Sequence, residues 1–482
     1  MDNIRVYLFA FCLFCLPSLT DAQTTNQSNM PPVVQPDTSK NTLMMPLNPQ
    51  DTGKNGSGQF LTLQQCIEYA MQHQPALNKA LINVNITKET NSVNLSGLLP
   101  QASASGDFIH YLQQSNNNSS SVSTGTPTGT GTTSTSTTRS GYTNTFIPGV
   151  SVTQSIFNPS LLYAYKSAPL YLKQAQQVTD STKIFLVSSV SKSFYNVLLT
   201  LEQINVFKED TTRLGKNLRD AYHQYKGGIV DETDYEEAAI TLNNSKAQLK
   251  QATENVVPQY AALKQLMGYP VEKEFNVSFD TVQMIKGIYI DTTQQLQYEK
   301  RIEFQQIKTS KDLQTQLVNY YRTSYLPTLS AFYNYNLAFE NNKFSDILSN
   351  SYPSQLVGLS FSIPIFTGFS RIHNLKKAKL QQQIIGWDET DLKLQINKEY
   401  RTALANYKGN YYNLQLLQKN VAMAKRVYFV VTLQYKQGIV PYLNVITAES
   451  NLITSEISYL NALFQVLSNK IDLEKAMGSI NY

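Results

Sequence analysis

Cysteine is scarce and charge is thin. Of three cysteines, Cys12 and Cys15 fall in an N-terminal apolar segment, which leaves Cys66 alone downstream. A single thiol forms no intrachain disulfide and no cysteine-based metal site. Charged residues are 16% of the 482-residue chain, against roughly 25% for an ordinary soluble domain. The net charge of +5 is small and dispersed, with no long Lys/Arg run, so nucleic acid is not an expected partner. The four histidines, His73, His110, His223 and His373, are scattered without metal-ligand spacing. No G-x-S-x-G motif or Gly-rich phosphate loop occurs. Neither an enzyme nor a cofactor site is expected.

Long apolar runs are also missing. Residues 6–16 are an apolar stretch after Arg5, too short to span a bilayer. With Thr20-Asp21-Ala22 behind it, residues 1–22 read as a secretory signal that leaves Gln23 as the new N-terminus. Leu13-Phe14 before Cys15 does not fit a lipid-attachment site. No later stretch approaches 18 consecutive apolar residues, which argues against an ordinary transmembrane helix. A membrane β-barrel stays open, because its alternating strands average to neutral hydropathy.

Gln, Asn, Ser, Thr and 30 tyrosines fill the deficit, against one tryptophan. Residues 23–58 are polar and read as a disordered linker. Thr62 and Gln65 form a capping-box pattern that opens a helix. It runs to about Leu98, with a possible break at Pro75, and Leu98-Leu99-Pro100 ends it. Residues 102–112 are a strand candidate. Residues 114–142, almost all Ser, Thr, Asn and Gly, are a solvated loop. Residues 146–157 alternate, with Val150, Val152, Gln154 and Ile156 on one face. Asn158-Pro159 is a strong helix start. The helix continues to about Lys226, and some 68 residues span roughly 100 Å. A helix of that length needs partners along it. Gly227-Gly228 stops it, and a second helix covers 232–267 before Gly268-Tyr269-Pro270. Residues 271–290 read as extended and irregular.

The chain repeats itself. Leu99-Pro100 returns as Leu326-Pro327, an offset of 227. Gly149-Val150-Ser151 with Ile156-Phe157 returns as Gly358-Leu359-Ser360 with Ile365-Phe366, an offset of 209. Tyr225-Lys226-Gly227-Gly228-Ile229-Val230 returns as Tyr435-Lys436-Gln437-Gly438-Ile439-Val440, and Met267-Gly268 as Met477-Gly478, both at 210. The drop from 227 to 209 places the extra residues of the first half in its Ser/Thr-rich loop, where length is tolerated. Both halves, 59–268 and 292–478, share one plan: helix, strand, loop, strand, very long helix, tight turn, shorter helix. Residues 269–291 connect them, and 479–482 form a tail.

The second-half strands alternate clearly. Leu329, Ala331, Tyr333, Tyr335, Leu337 and Phe339 share a face, with Phe332 the exception on the other. Val357, Leu359, Phe361, Ile363 and Ile365 oppose Gly358, Ser360 and Ser362. This is the apolar-out, polar-in pattern of a membrane barrel, although a half-buried soluble sheet gives it too. Four strands cannot close a barrel, so a membrane role requires oligomerisation.

The duplicated order, the Leu-Pro before each odd strand, the Gly-x-Ser…Ile-Phe strands and the Tyr-x-x-Gly turns together resemble the TolC family of outer-membrane efflux proteins, over nearly all of residues 61–478. The resemblance implies a mixed α and β membrane protein. Three copies, four strands each, would form a 12-stranded barrel continuous with a long periplasmic α-helical barrel. The loops 114–142 and 341–353 would face outside the cell, and 269–291 would form an equatorial belt. The implied activity is that of a passive export duct in a tripartite efflux or type I secretion system, seated in outer-membrane lipid. Its implied partners are a periplasmic adaptor and an inner-membrane pump of RND or ABC type.

The same resemblance places the pore closure and adaptor dock at the turns carrying Gly227, Gly228, Ile229 and Val230 and, in the second half, Gly438, Ile439, Val440 and Pro441. Where the family usually has two acids in the second half, this chain has Asn444 and Thr447. Asp234 and Glu237 of the first half are the candidates for an acidic ring, and they equally fit ordinary N-terminal helix acids. Gly228 and Gly438 are expected to be left-handed and Pro441 to start the next helix. The apolar turn residues are expected both to pack within the hairpins and to meet the adaptor. Carboxylates along the long helices read as solvated faces or pore lining. A trimeric adhesin stalk or a general diffusion porin are the rivals. The first would lack repeated strand pairs and tip glycines, and the second would lack the long helices.

Overall fold

The computed structural model describes residues 59–112, 142–278 and 287–481. The expected signal (1–22), the linker (23–58), nearly all of the 114–142 loop and part of the 269–291 connection lie outside the described residues. In chain order the elements are β1 (Gln59–Leu61), α1 (Leu63–His73), α2 (Pro75–Leu95), β2 (Gln101–His110), β3 (Asn144–Phe157), α3 (Pro159–Lys226) and α4 (Glu232–Met267). There follow β4 (Phe275–Val277), α5 (Ile302–Thr323), β5 (Thr328–Asn341), β6 (Ser351–Ser362), α6 (Ser370–Lys436) and α7 (Tyr442–Met477).

Local chemistry sets the helix bounds. Thr62 caps α1 through a capping box: Gln65 N–H donates to Thr62 Oγ1 at 3.4 Å, and Thr62 N–H donates to Gln65 Oε1 at 2.9 Å. Gln74 is extended (φ −66, ψ 120), as the residue before a proline prefers, so α1 and α2 are two helices. A 3-10 turn at Ser96–Leu98 follows α2. Asn158 accepts the Ser160 N–H at 2.9 Å, and Pro159 opens α3. One stretch of α3 is long and apolar enough to cross a bilayer, contrary to the expectation from consecutive apolar residues, but more than half of it is buried inside the chain. α3 packs on α2, α4, α5 and α7; its apolar character is that of a core helix.

The main core gathers Leu186, Val190, Phe194, Val197 and Leu198 of α3 with Leu263 and Met267 of α4 and Leu463, Phe464, Val466 and Leu467 of α7. Each fully buried Leu, Val or Phe contributes about 1.5–3 kcal/mol. Cys66 packs into this core, and burial pushes its thiol up to about 12. Beside it, β1 pairs in parallel with β4. This short ribbon was not legible in the sequence, and it corrects the irregular reading of 271–290 at Phe275–Val277.

Four strands form an antiparallel sheet in the order β2-β3-β5-β6. Phe332, the exception to the alternation, lies opposite Gly358, and a Cβ on that glycine would sit 2.6 Å from the ring. Gly149 likewise makes room for its cross-strand partner Asn336. The Gly-x-Ser repeat is therefore a pair of notches for β5 side chains. β6 ends at Ser362, before Pro364, which has no N–H to continue the ladder. Ile363 and Ile365 thus lie past the strand rather than in it. The loop expected at 341–353 shrinks to residues 342–350, because β5 and β6 run longer and a 3-10 segment, Phe344–Ser349, lies between them. Val357, Leu359 and Phe361 are exposed on the protomer, and β2 and β6 are edges within the chain.

Candidate functional site

The α3–α4 and α6–α7 turns have one construction. Gly228 N–H bonds to Tyr225 O at 3.0 Å and Ile229 N–H to Gln224 O at 2.9 Å. Gly438 N–H bonds to Tyr435 O and Ile439 N–H to Gln434 O, both at 2.9 Å. These are paired Schellman bonds, and they require a left-handed residue. Gly228 (φ +71) and Gly438 (φ +70) supply it, while Gly227 is right-handed at φ −81. Pro441 does not begin α7 as expected. It is the N-cap, extended at φ −70 and ψ 161, and α7 begins at Tyr442.

A second apolar cluster welds the two hairpins behind the turns. It joins Ala221 of α3, Ala238 of α4, Tyr435 of α6, and Tyr442 and Val445 of α7, with Val440 and Ile446 against it. Tyr435 Oη donates to Gln224 Oε1 at 2.6 Å across the hairpins. Val440 therefore packs inward, Val230 is half-buried, and Ile229 and Ile439 stand 73% and 69% exposed. Asp234 is half-buried, and burial, then the neighbouring Asp231 charge, raises its carboxyl above the ordinary value. Glu237, Asn444 and Thr447 are exposed.

Between the tip cluster and the main core lies a polar node. Arg213 of α3 donates from Nε to Glu449 Oε1 of α7 at 3.3 Å and from Nη2 to Asp210 Oδ1 at 3.4 Å. Asn217 donates to Glu449 Oε2 at 3.1 Å and to the Tyr428 hydroxyl of α6 at 3.4 Å. Ser245 of α4 donates to Asp210 Oδ2 at 2.5 Å. Asp210 is 0% and Glu449 2% exposed. These two carboxylates contradict the expectation that the helix acids are solvated faces or pore lining. The available signal was asymmetry: at an offset of 210, the counterparts of Asp210, Arg213 and Glu449 are Asn420, Met423 and Ala239. These charges break the repeat, and Arg213 and Glu449 meet between the halves.

A four-stranded sheet with an exposed apolar face, followed in each half by a very long helical hairpin, defines an outer-membrane export channel. The outer membrane efflux protein family model matches residues 66–269 and 295–479, and the chain belongs to that family. It is 23% identical over 465 residues to outer membrane protein TolC of Escherichia coli, covering 89% of this chain and 85% of the relative. Its fold matches the solved structure of CusC with a TM-score of 0.71 at 16% identity, over 89% of this chain and 95% of the other. It matches VceC from Vibrio cholerae with a TM-score of 0.69 at 15% identity, over 86% and 96%. The chain is an efflux channel of the outer membrane and reaches into the periplasm. Family and relatives are channels rather than enzymes, and neither the adhesin nor the general-porin alternative is favoured.

Proposed function

We propose that three copies each give their β2-β3-β5-β6 sheet to one closed 12-stranded barrel, and that α3, α4, α6 and α7 of each copy build a periplasmic duct. The observation that carries this is the sheet itself: it has two edges and an outward apolar face (Val357, Leu359, Phe361) on one chain. Four strands cannot close, and open edges in a membrane leave backbone groups unsatisfied, so neighbouring copies must cover them. Two hairpins per chain, each with a helix near 100 Å long, then stand below the barrel.

In this reading the duct is passive. It works with a periplasmic adaptor and an inner-membrane pump of RND or ABC type, for efflux or type I secretion. The Gly227–Val230 and Gly438–Pro441 turns are its inner mouth and adaptor dock. Asp234 and Glu237 supply an acidic ring, since Asn444 and Thr447 cannot. The described residues of the connection, 269–278 and 287–291, contribute to a belt where the halves join.

Negative-stain electron microscopy of detergent-extracted protein tests the assembly. A hollow trimer longer than about 100 Å is expected. A compact barrel with no stalk, or a solid fibre with no lumen, overturns it.

A further inference from the structure

The buried node holds two carboxylates and one guanidinium. With both acids ionised the site carries a net negative charge out of water, which is unfavourable. With one acid protonated, the charges balance: Arg213 faces one carboxylate and one neutral carboxyl, the neutral one donates its proton to the other acid, and Asn217 and Ser245 donate to the outer oxygens. The node also spans four helices. Asp210, Arg213 and Asn217 are on α3, Ser245 is on α4, Tyr428 on α6 and Glu449 on α7. The node adds to the apolar cluster and the Tyr435–Gln224 bond that join the hairpins near the tip, and what loosens it weakens that seam between α3–α4 and α6–α7.

We propose that Asp210, Arg213 and Glu449 form a proton-responsive joint between the two hairpins, tight when one of the two carboxyls is protonated and looser when both are ionised. Its consequence for opening of the channel rests on the reading of the turns as the gate; the joint itself does not.

The groups that face Glu449 come from four helices, and Arg213 alone among the named ones opposes the rise. From α3 come Asp210 and Arg213, with exposed Glu209 behind the guanidinium at 3.9 Å. From α4 comes Ser245, on Asp210. From α6 comes the Tyr428 ring, 5.9 Å from the Arg213 guanidinium, and from α7 itself Tyr442, whose hydroxyl burial first, and then the Glu449 charge, raises above its ordinary value. Burial first, and then the Asp210 charge, push the Glu449 carboxyl up to about 7, against the pull of Arg213. Burial raises Asp210 as well. A docked carboxyl raised above its ordinary 4.5 keeps its proton where an undocked one loses it. Docking strength is therefore full below about 4.5, falls as pH rises through about 7, and is flat above.

Hydrogen exchange of the full-length, detergent-solubilised protein, corrected for intrinsic exchange rates, tests this on α7 around Glu449. Protection is expected to fall about tenfold between pH 6 and pH 8. Glu449→Gln, a neutral isostere, should show no such slope and should hold, at both pH 6 and pH 8, the protection that wild type reaches only below about pH 4.5. Arg213→Met should lose protection at pH 8 and regain it at pH 5.5, and the double variant should be protected at both. Asp210→Asn gives a second neutral variant should Glu449→Gln fail to assemble. Wild-type protection that is flat from pH 6 to pH 8, or a Glu449→Gln slope equal to wild type, overturns the joint. Single-channel conductance of the same samples separates the two readings. A pH-dependent exchange with invariant conductance supports the joint and removes the gate; flat exchange removes the joint whatever the conductance does.

Discussion

Gly268 lies so close to His73 that a Cβ on it would fall 2.7 Å from the His73 carbonyl oxygen, and the second half repeats the contact between Gly478 and the Lys300 carbonyl at 2.8 Å. Both glycines are left-handed, at φ +67 and +69. Each ends a short hairpin helix against the backbone where its half's first helical segment turns. Backbone cannot swing aside as a side chain can. Gly268→Ala and Gly478→Ala are each expected to cost on the order of 2 kcal/mol or more, from left-handed strain plus the clash. Thermal unfolding of the detergent-solubilised protein reads this, and an unchanged midpoint would show that the close approach relaxes without cost.

That contact shows what was legible and what was not. Met267-Gly268 and Met477-Gly478 were visible as repeats, because the left-handed cap tolerates almost nothing but glycine. Their partners, His73 and Lys300, sit at the same 227 offset as the two Leu-Pro pairs but share no side chain, because only their carbonyls matter. The long helices were legible from their caps, Asn158-Pro159 and the Gly turns. β1 with β4 was not, since three residues of parallel ribbon leave no periodicity. Phe332 broke the alternation because its stabilising feature is a glycine on the next strand. The Asp210–Glu449 node was hidden because 232–239 residues separate Glu449 from Asn217, Arg213 and Asp210 along the chain and burial of a carboxylate follows only from the packing.

Arg301 pins three helices at one point. It is 4% exposed, donates to Glu303 at 2.9 Å and Glu399 of α6 at 2.8 Å, and donates to the Ala476 carbonyl near the end of α7 at 3.2 Å. Both carboxylates are partly exposed and can turn to water when the cation is removed. Arg301→Met is therefore expected to cost about 2–3 kcal/mol, at or below the low end for a broken buried pair. Arg301→Lys should recover only part of it, since an ammonium lacks the planar fork that serves three acceptors. Denaturation midpoints of the three proteins check the order wild type, Lys, Met.

Ile229 and Ile439 are exposed while their neighbour Val440 packs inward, so the two isoleucines contribute little to the fold of one chain. Ile229→Asp and Ile439→Asp should leave the unfolding midpoint within about 0.5 kcal/mol of wild type. If the turns meet an adaptor, the same variants should abolish export in cells while reaching the outer membrane in normal amounts. Normal export would remove these residues from the dock.

Asp234 and Glu237 stand one turn apart on α4, just behind the first tip. Three copies around an axis would put six carboxyls at the mouth, enough to hold cations there when ionised. Asp234→Asn with Glu237→Gln should relieve block of single-channel current by divalent cations. The raised Asp234 carboxyl adds a pH signature: a group above its ordinary value gains its proton earlier on acidification. Block should therefore weaken as pH falls toward the upper carboxylate range, and Asp234→Asn alone should flatten that limb. Block that is unchanged in the double variant would return both acids to the simpler role of complementing the α4 N-terminus, and the mouth would then be held by packing of Tyr435, Tyr442 and Val445 rather than by charge.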